Sequence, residues 1–473
     1  MAKVKTPRSM EPDAKLRGYE QGGYLLNASG ISLFQYLFSG FLLVYYTNVL
    51  YFDAALAASI MAISKILDAV SDLFMGWILD RTKSKYGKAR PWMIRMMPIT
   101  VVCVFLSFWQ PAGLEGTLQI IYMFVTYNLA ITFCYTALLV AHNSLLGLMT
   151  LNQKSRSVAG GMHMVGANVV ASLLVNSLFL KISGAIGGGD PYTQAGFAGT
   201  VAIYLVLYVI FTGASFLIVR ERVGKTPAPA AAEKPVEAEK IPTMKVIKSL
   251  VTNKYWLMCV GIGILVYILM AAASSAPIYY CQYVLGNLDL QSTVSSLYTL
   301  SMLPTLFITI AFVGKLGKRN TLLLGMVISV VGWILPVVSN ATIIMIVGAV
   351  LRGVGFGIAG VPVGSIVQDA LTYGLWRDGF NAVGMGNAAN SFSQKVGNAL
   401  GTMIVGFLLS AGGFDATLAA QPASALTSIV IQFTWLPAIC CLGILILAIF
   451  YDLDKKYAGI EADIKAGKVG ENK

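Results

Sequence analysis

The chain has 473 residues, 56% hydrophobic and only 12% charged, with a mean hydropathy of +0.71. Soluble domains run near 25% charged, so a soluble fold is excluded. The long unbroken apolar runs also exclude a transmembrane β-barrel, whose strands alternate over about ten residues. The net charge of +12 does not signal nucleic acid, because the basic residues sit in alternate loops between apolar runs.

Backbone in lipid must satisfy its own hydrogen bonds, which leaves helices as the spanning element. Twelve apolar runs of spanning length lie near residues 23–48, 55–79, 91–109, 118–147, 157–183, 197–219, 255–284, 291–314, 321–339, 342–371, 382–411 and 424–451. The one long polar break, residues 220–254, contains TPAPAAAEKPVEAEK, which has no apolar face to bury. The expected plan is an all-α membrane protein with a tail (1–22), a six-helix bundle (23–219), a linker (220–254), a second six-helix bundle (255–451) and a tail (452–473). Of the 34 Lys and Arg, 29 fall in the N-terminal stretch, the even-numbered loops and the C-terminal stretch. Both termini are thus expected in the cytoplasm, and the protein in the plasma membrane. Six cysteines, all in apolar runs and without a CxxC pair, indicate neither a disulfide framework nor a zinc site.

Span 1 carries Asn27, Ser29, Ser32, Gln35, Tyr36 and Ser39. Ser32, Gln35, Tyr36 and Ser39 share one helical side, suited to a polar cavity. Ser29 and Ser39 are equally suited to helix contacts.

The second span and the loop behind it read ISKILDAVSDLFMGWILDRTKSKYGKARPW, residues 63–92. Asp68 and Asp72 are four apart, so a helix sets both on one face, with Lys65 one turn before. A charge inside a bilayer costs several kcal/mol. Two carboxylates there need a lysine partner or a cation, or one of them a proton, and ion-coupled transport is the function they indicate. Lys395 in span 11 is the expected distant partner. The loop carries Asp80, Arg81 and Arg90. Gly76-x-x-x-Asp80-Arg81 is echoed after span 8 by Gly314-Lys315-x-Gly317-Lys318-Arg319. The echo suggests two related halves and a cytoplasmic gate in which basic loops meet carboxylates in one conformation.

Span 4 is rich in polar groups, among them Thr132, Tyr135, Thr136, His142 and Asn143. Tyr135, Thr136 and Asn143 are candidate pocket residues. Interhelical hydrogen bonding is the competing account. His142, like His163 in span 5, either relays protons or stays neutral and hydrogen-bonded. Span 10 has Gly353, Gly355, Gly357, Gly360 and Pro362, a pattern for close packing and bending. Asp369, Tyr373 and Arg377 follow at its cytoplasmic end as candidate gate residues. Catalytic signatures such as GxSxG, HExxH and GxxxxGK[ST] are absent from the sequence, so no enzyme activity is expected.

The stretch DAVSD…GW…DRTKSKYGKARPW resembles the signature of the glycoside–pentoside–hexuronide:cation symporters, the melibiose carrier branch of the major facilitator superfamily. Tyr45-Tyr46-Thr47-Asn48, the Asp369…Tyr373-Gly374 segment and Ser393-x-Lys395-x-Gly397 add to the resemblance, which covers almost the whole chain. It implies symport of a small solute, a sugar or glycoside, with a monovalent cation, Na+ or H+, and no other cofactor. Asp68 and Asp72 match the two aspartates that hold that cation, Thr136 a threonine beside them, and Lys395 a neighbouring lysine. The solute side departs. Ser32 and Leu139 stand where melibiose carriers have sugar-binding aspartates, and Asn143 where a tryptophan stacks on sugar. Asn381 and Met164 replace two arginines. Together with Asn27, Gln35 and Tyr135, the positions Ser32, Leu139 and Asn143 form the expected solute set. The lost carboxylate at Leu139 favours H+ over Na+, and the changed solute side admits a non-sugar, lipid-like or amphiphilic solute.

Overall fold

The computed structural model describes residues 14–82, 84–150, 152–222, 243–339, 341–380, 383–418, 420–466 and 468. It is all-helical over these, and the chain divides into two compact units, Met1–Ala232 and Glu233–Lys473. Among the described residues, nine helices are long and apolar enough to cross a membrane.

The first unit holds α1 (Gly18–Tyr36, with π-helical turns at Leu37–Leu42 and Tyr45–Val49), α2 (Ala54–Arg81), α3 (Arg90–Ser107), α4 (Gly116–Asn128, a π-helical turn Leu129–Tyr135, then Thr136–Met149), α5 (Gln153–Met164, Val165–Val170, Ala171–Ile186) and α6 (Gln194–Ile218). The second begins with a short helix, Thr243–Thr252, then α7 (Lys254–Tyr279, Tyr280–Val284). The rod Asp289–Val338 breaks at Gly317 into α8 (289–316) and α9 (318–338). Then come α10 (Thr342–Asp378), α11 (Val383–Ala411), α12 (Ala423–Val430, Ile431–Trp435, Leu436–Phe450) and a terminal helix, Leu453–Lys465. Polar side chains set several starts by accepting from the first-turn N–H groups. Asp53 accepts from Leu56 (2.8 Å), Asn152 from Ser155 (3.0 Å), Thr193 from Gly196 (3.0 Å) and Asn253 from Trp256 (3.1 Å).

Within the stretch read as linker, Thr243–Thr252 is helical and buries Val246 and Leu250. In the second unit, α10 packs through its glycines. A Cβ on Gly357 would stand 2.8 Å from the Met302 carbonyl of α8, and one on Gly355 2.5 Å from the Gly325 carbonyl of α9. Small residues here let backbones meet.

The two units repeat one tie. Glu221, just past α6, accepts from the backbone N–H groups of Lys88 (2.8 Å), Ala89 (2.9 Å) and Arg90 (2.8 Å). These amides are the open start of α3, which needs acceptors and favours negative charge. The Arg90 guanidinium returns to α6, donating to the Phe216 carbonyl at 2.5 Å. In the second unit Asp454, past α12, accepts from Arg319 N–H at 2.7 Å, and the Arg319 guanidinium donates to the carbonyls of Ala448 (3.0 Å) and Ile449 (2.5 Å). A left-handed glycine precedes each start: Gly87 at φ +116° and Gly317 at φ +80°. Gly87 and Arg90 against Gly317 and Arg319 thus carry a repeat that the sequence echo did not include, and the Asp80 side chain from that echo lies outside the described residues. Arg222 adds a buried ion pair with Glu20 and donates to the Met149 carbonyl at 3.2 Å, binding α1 and α4 into the same knot.

A Cβ on Gly87 would land on the Glu221 carboxylate, whereas one on Gly317 would sit 3.3 Å from Asp454. Both alanine variants force a side chain into left-handed backbone, at about 1–2 kcal/mol. Gly87→Ala is expected to lower the thermal unfolding midpoint in detergent further than Gly317→Ala. Equal midpoints in the two variants would show that Glu221 does not hold this loop.

Candidate functional site

α2 and α4 of the first unit meet along a ladder of hydroxyl, amide and carboxyl groups. Ser64, Asp68 and Ser71 lie at i, i+4 and i+7 on α2, and Asn128, Thr132 and Thr136 at i, i+4 and i+8 on α4, so each set shares one helical face. Asn128 Nδ2 donates to Ser64 Oγ at 2.8 Å, and Thr132 to Asn128 Oδ1 at 3.0 Å. Thr136 Oγ1 donates to Asp68 Oδ1 at 2.5 Å. Ser71 donates to the Asp68 carbonyl at 2.8 Å and lies 3.3 Å from Thr136 Oγ1. Asp68 is 4% exposed and Thr136 2%. The widened turn Leu129–Tyr135 ends directly before Thr136, and such turns recur at functional sites because they re-aim the next side chains. Asp72 is one turn beyond Asp68 on α2. Its side chain, like that of Asp80, lies outside the described residues, as does Asn381. Lys395 stands half-buried on α11 of the second unit.

The oxygens of buried Asp68 and Thr136 and of half-buried Ser71 form a compact set that suits a proton or a small monovalent cation. Ser71 is an addition to the residues marked out by the sequence. Its position three residues past Asp68, on the face turned to α4, is the signal that could have found it.

Of the expected solute set, Gln35 and Tyr135 meet: the Tyr135 hydroxyl donates to Gln35 Oε1 at 3.1 Å, from α4 to α1. Gln35 and Asn143 are exposed and Leu139 is half-buried. Ser32 is 7% exposed. Asn27 is fully buried, its amide 2.7 Å from His142 Nδ1.

Among the expected gate residues, Arg90 belongs to the Glu221 tie, and Arg81 stacks on Trp77 with its guanidinium 3.7 Å from the ring centroid. Asp369 pairs with Lys318 at 2.5 Å. Tyr373 packs edge-on against Tyr255 at 4.9 Å. Arg377 donates to the carbonyls of Ser249 and Thr252, both at 2.9 Å, and pairs with Asp378 at 2.7 Å, clamping the short helix to the end of α10. Arg90, Lys318 and Arg377 meet these partners within their own unit. Arg352, a charge that the sequence does not explain, is held by aromatic faces, 4.6 Å from Trp333 and 5.0 Å from Phe433.

Residues 23–455 match the family model described as MFS/sugar transport protein. The chain is similar to the isoprimeverose transporter of Lactiplantibacillus pentosus, 27% identical over 96% of this chain and 92% of that protein. It is also similar to a putative glycoside/cation symporter, YagG, of Escherichia coli K12, 27% identical over 87% of each chain. In fold it is similar to the crystal structure of the nucleoside transporter NupG, with TM-score 0.62, 12% identity, and coverage of 91% of this chain and 99% of that one. The resemblance read from Asp68 to Trp92 thus holds across the length of the protein: the chain belongs to the MFS/sugar transport protein family, as a membrane transporter of the melibiose carrier type and not an enzyme.

Proposed function

We propose that the protein is a cation-coupled symporter of a glycoside or a related small sugar-like solute, working by alternating access. In this reading it spans the plasma membrane twelve times with both termini in the cytoplasm, and 23–219 and 255–451 are its two six-helix halves. The observation that carries the reading is the Thr136–Asp68 contact, a buried carboxylate and hydroxyl on facing helices with Ser71 beside them. In this arrangement the Thr136 proton satisfies an ionised Asp68. A cation arriving among these oxygens takes the carboxylate, and the hydroxyl turns its lone pair inward. A proton arriving instead makes Asp68 the donor. Either event rewrites the α2–α4 contact, which links ion binding to helix position. Asp72 completes the coupling pair. The few oxygen ligands favour H+ over Na+.

The names of the similar proteins support a sugar or glycoside as solute. Gln35 and Tyr135, bonded across α1 and α4, are the polar pair assigned to it. One alternative is favoured by a specific observation. Half-buried Leu139, standing where the resemblance places a carboxylate, suits a less polar, lipid-like or amphiphilic solute on the same fold.

Counterflow in proteoliposomes loaded with a panel of glycosides, pentosides, hexuronides and amphiphiles, with Na+ or H+ varied, tests both readings. Exchange of one sugar stimulated by one cation is the expected result; exchange of amphiphiles alone overturns the sugar assignment. Asp72→Cys is expected to abolish uphill accumulation with the protein still in the membrane, and retained accumulation removes the coupling assignment. Thr136→Ala should raise the half-saturating cation concentration by roughly tenfold or more, the equivalent of a hydrogen bond to a charged group at about 1.5–3 kcal/mol. Tyr135→Phe should raise the KM for solute without moving that cation midpoint.

A further inference from the structure

The sequence contains two histidines, and the structure places both in one hydrogen-bonded chain. His142 on α4 is 1% exposed. Its Nδ1 lies 2.7 Å from Asn27 Nδ2 on α1, and its Nε2 lies 2.9 Å from His163 Nδ1 on α5. Tyr24 stacks on the His142 ring at 4.3 Å and 13°, with its hydroxyl 3.5 Å from the His142 carbonyl. His163 is the half-buried member.

Each of these nitrogen contacts holds one proton, so the chain has a direction. In one direction Asn27 Nδ2 donates to His142 Nδ1, and His142 Nε2–H donates to His163 Nδ1. Asn27 Oδ1 is then buried without a partner, which is unfavourable. Turning the amide over reverses every bond. His142 Nδ1–H then donates to Asn27 Oδ1, His163 Nδ1–H donates to His142 Nε2, and His163 Nε2 keeps a lone pair. The amide is short of partners either way, which keeps the two directions close in energy. The reversed chain alone can accept a proton without breaking a contact.

We propose that Asn27, His142 and His163 form a binding site for a single proton, separate from the Asp68 cluster, in which uptake at His163 reverses the chain. His142 is six residues from Thr136, about 9 Å along α4. The described titratable and charged groups on the surrounding helices include the following. On α1 they are Tyr24 and, one turn back, Glu20, which is paired with Arg222. On α4 and α2 they include Tyr127, Cys134 and Tyr135, the last bonded to Gln35, and Lys65 and Asp68, the latter bonded to Thr136, while the Asp72 side chain lies outside the described residues. On α5 Arg156 donates to the Thr150 carbonyl at the helix start, and α6 contributes Tyr204 and Tyr208. The described carboxylates beside the pair, Glu20 and Asp68, thus already have partners. An imidazolium here strains the junction of α1, α4 and α5. Proton uptake therefore favours a conformation in which this junction opens, and pH sets the population.

Because the chain has only these two histidines, [15N]histidine-labelled protein, purified through a non-histidine tag and placed in nanodiscs, reads the site directly. Between about pH 5 and 8 the two rings together are expected to take up one proton, one ring moving to imidazolium shifts and the other staying neutral. Two independent titrations, or none, overturn the proposal. This arm needs no knowledge of solute or coupling ion, so its failure is distinct from failure of the symport reading, on which only the second arm rests. In that arm solute exchange in the unaltered protein changes by about threefold or more between pH 5.5 and 7.5, and His163→Gln, active at pH 8, abolishes the change. Identical pH profiles in the two proteins overturn it.

Discussion

Thr136 and Asp68 meet at 2.5 Å where water is scarce, and much of the first unit is arranged to make that contact possible. A buried carboxylate must be met by donors or by a cation. The donors come from a facing helix, so α2 and α4 have to be held in register along several turns. The Ser64–Asn128–Thr132 rungs do this, and the π-helical turn before Thr136 aims the hydroxyl. Such a contact cannot be loosened gradually. It is exchanged for another set of partners or kept.

The same logic governs the loop ends. A helix that starts at a tight loop leaves amides without acceptors, and each unit supplies one carboxylate from beyond its last long helix to take them up. Glu221 and Asp454 act as anchors for α3 and α9, and the arginine at each start completes the circuit through the carbonyls of α6 or α12. The second unit adds the Lys318–Asp369 pair to this frame, and the first adds Glu20–Arg222. The frame repeats while its side-chain supplements differ.

Much of this was legible in the sequence, and for physical reasons. Asp68 stood out because charge in an apolar run is costly. The family resemblance, written in the loop behind it, is borne out over residues 23–455. The rest was hidden for equally physical reasons. Glu221 and Arg222 lie at the start of a polar stretch whose composition reads as linker, and only the fold shows that their side chains point back into the unit. Glu20 sat in what looked like a tail. The π-helical turns leave no trace in hydrophobic periodicity. Asn27 shared the polar character of span 1 but is wholly buried against His142, because spacing reports a face and not what that face meets.

The knot at Glu221 and Arg222 closes the first unit before residue 223, and the second unit's described residues resume at Thr243. The Glu221 and Arg222 ties stand on one side of that interval, and the Asp454, Lys318 and Arg377 ties on the other. A gene cut within that interval would leave each polypeptide all of the ties named for its unit.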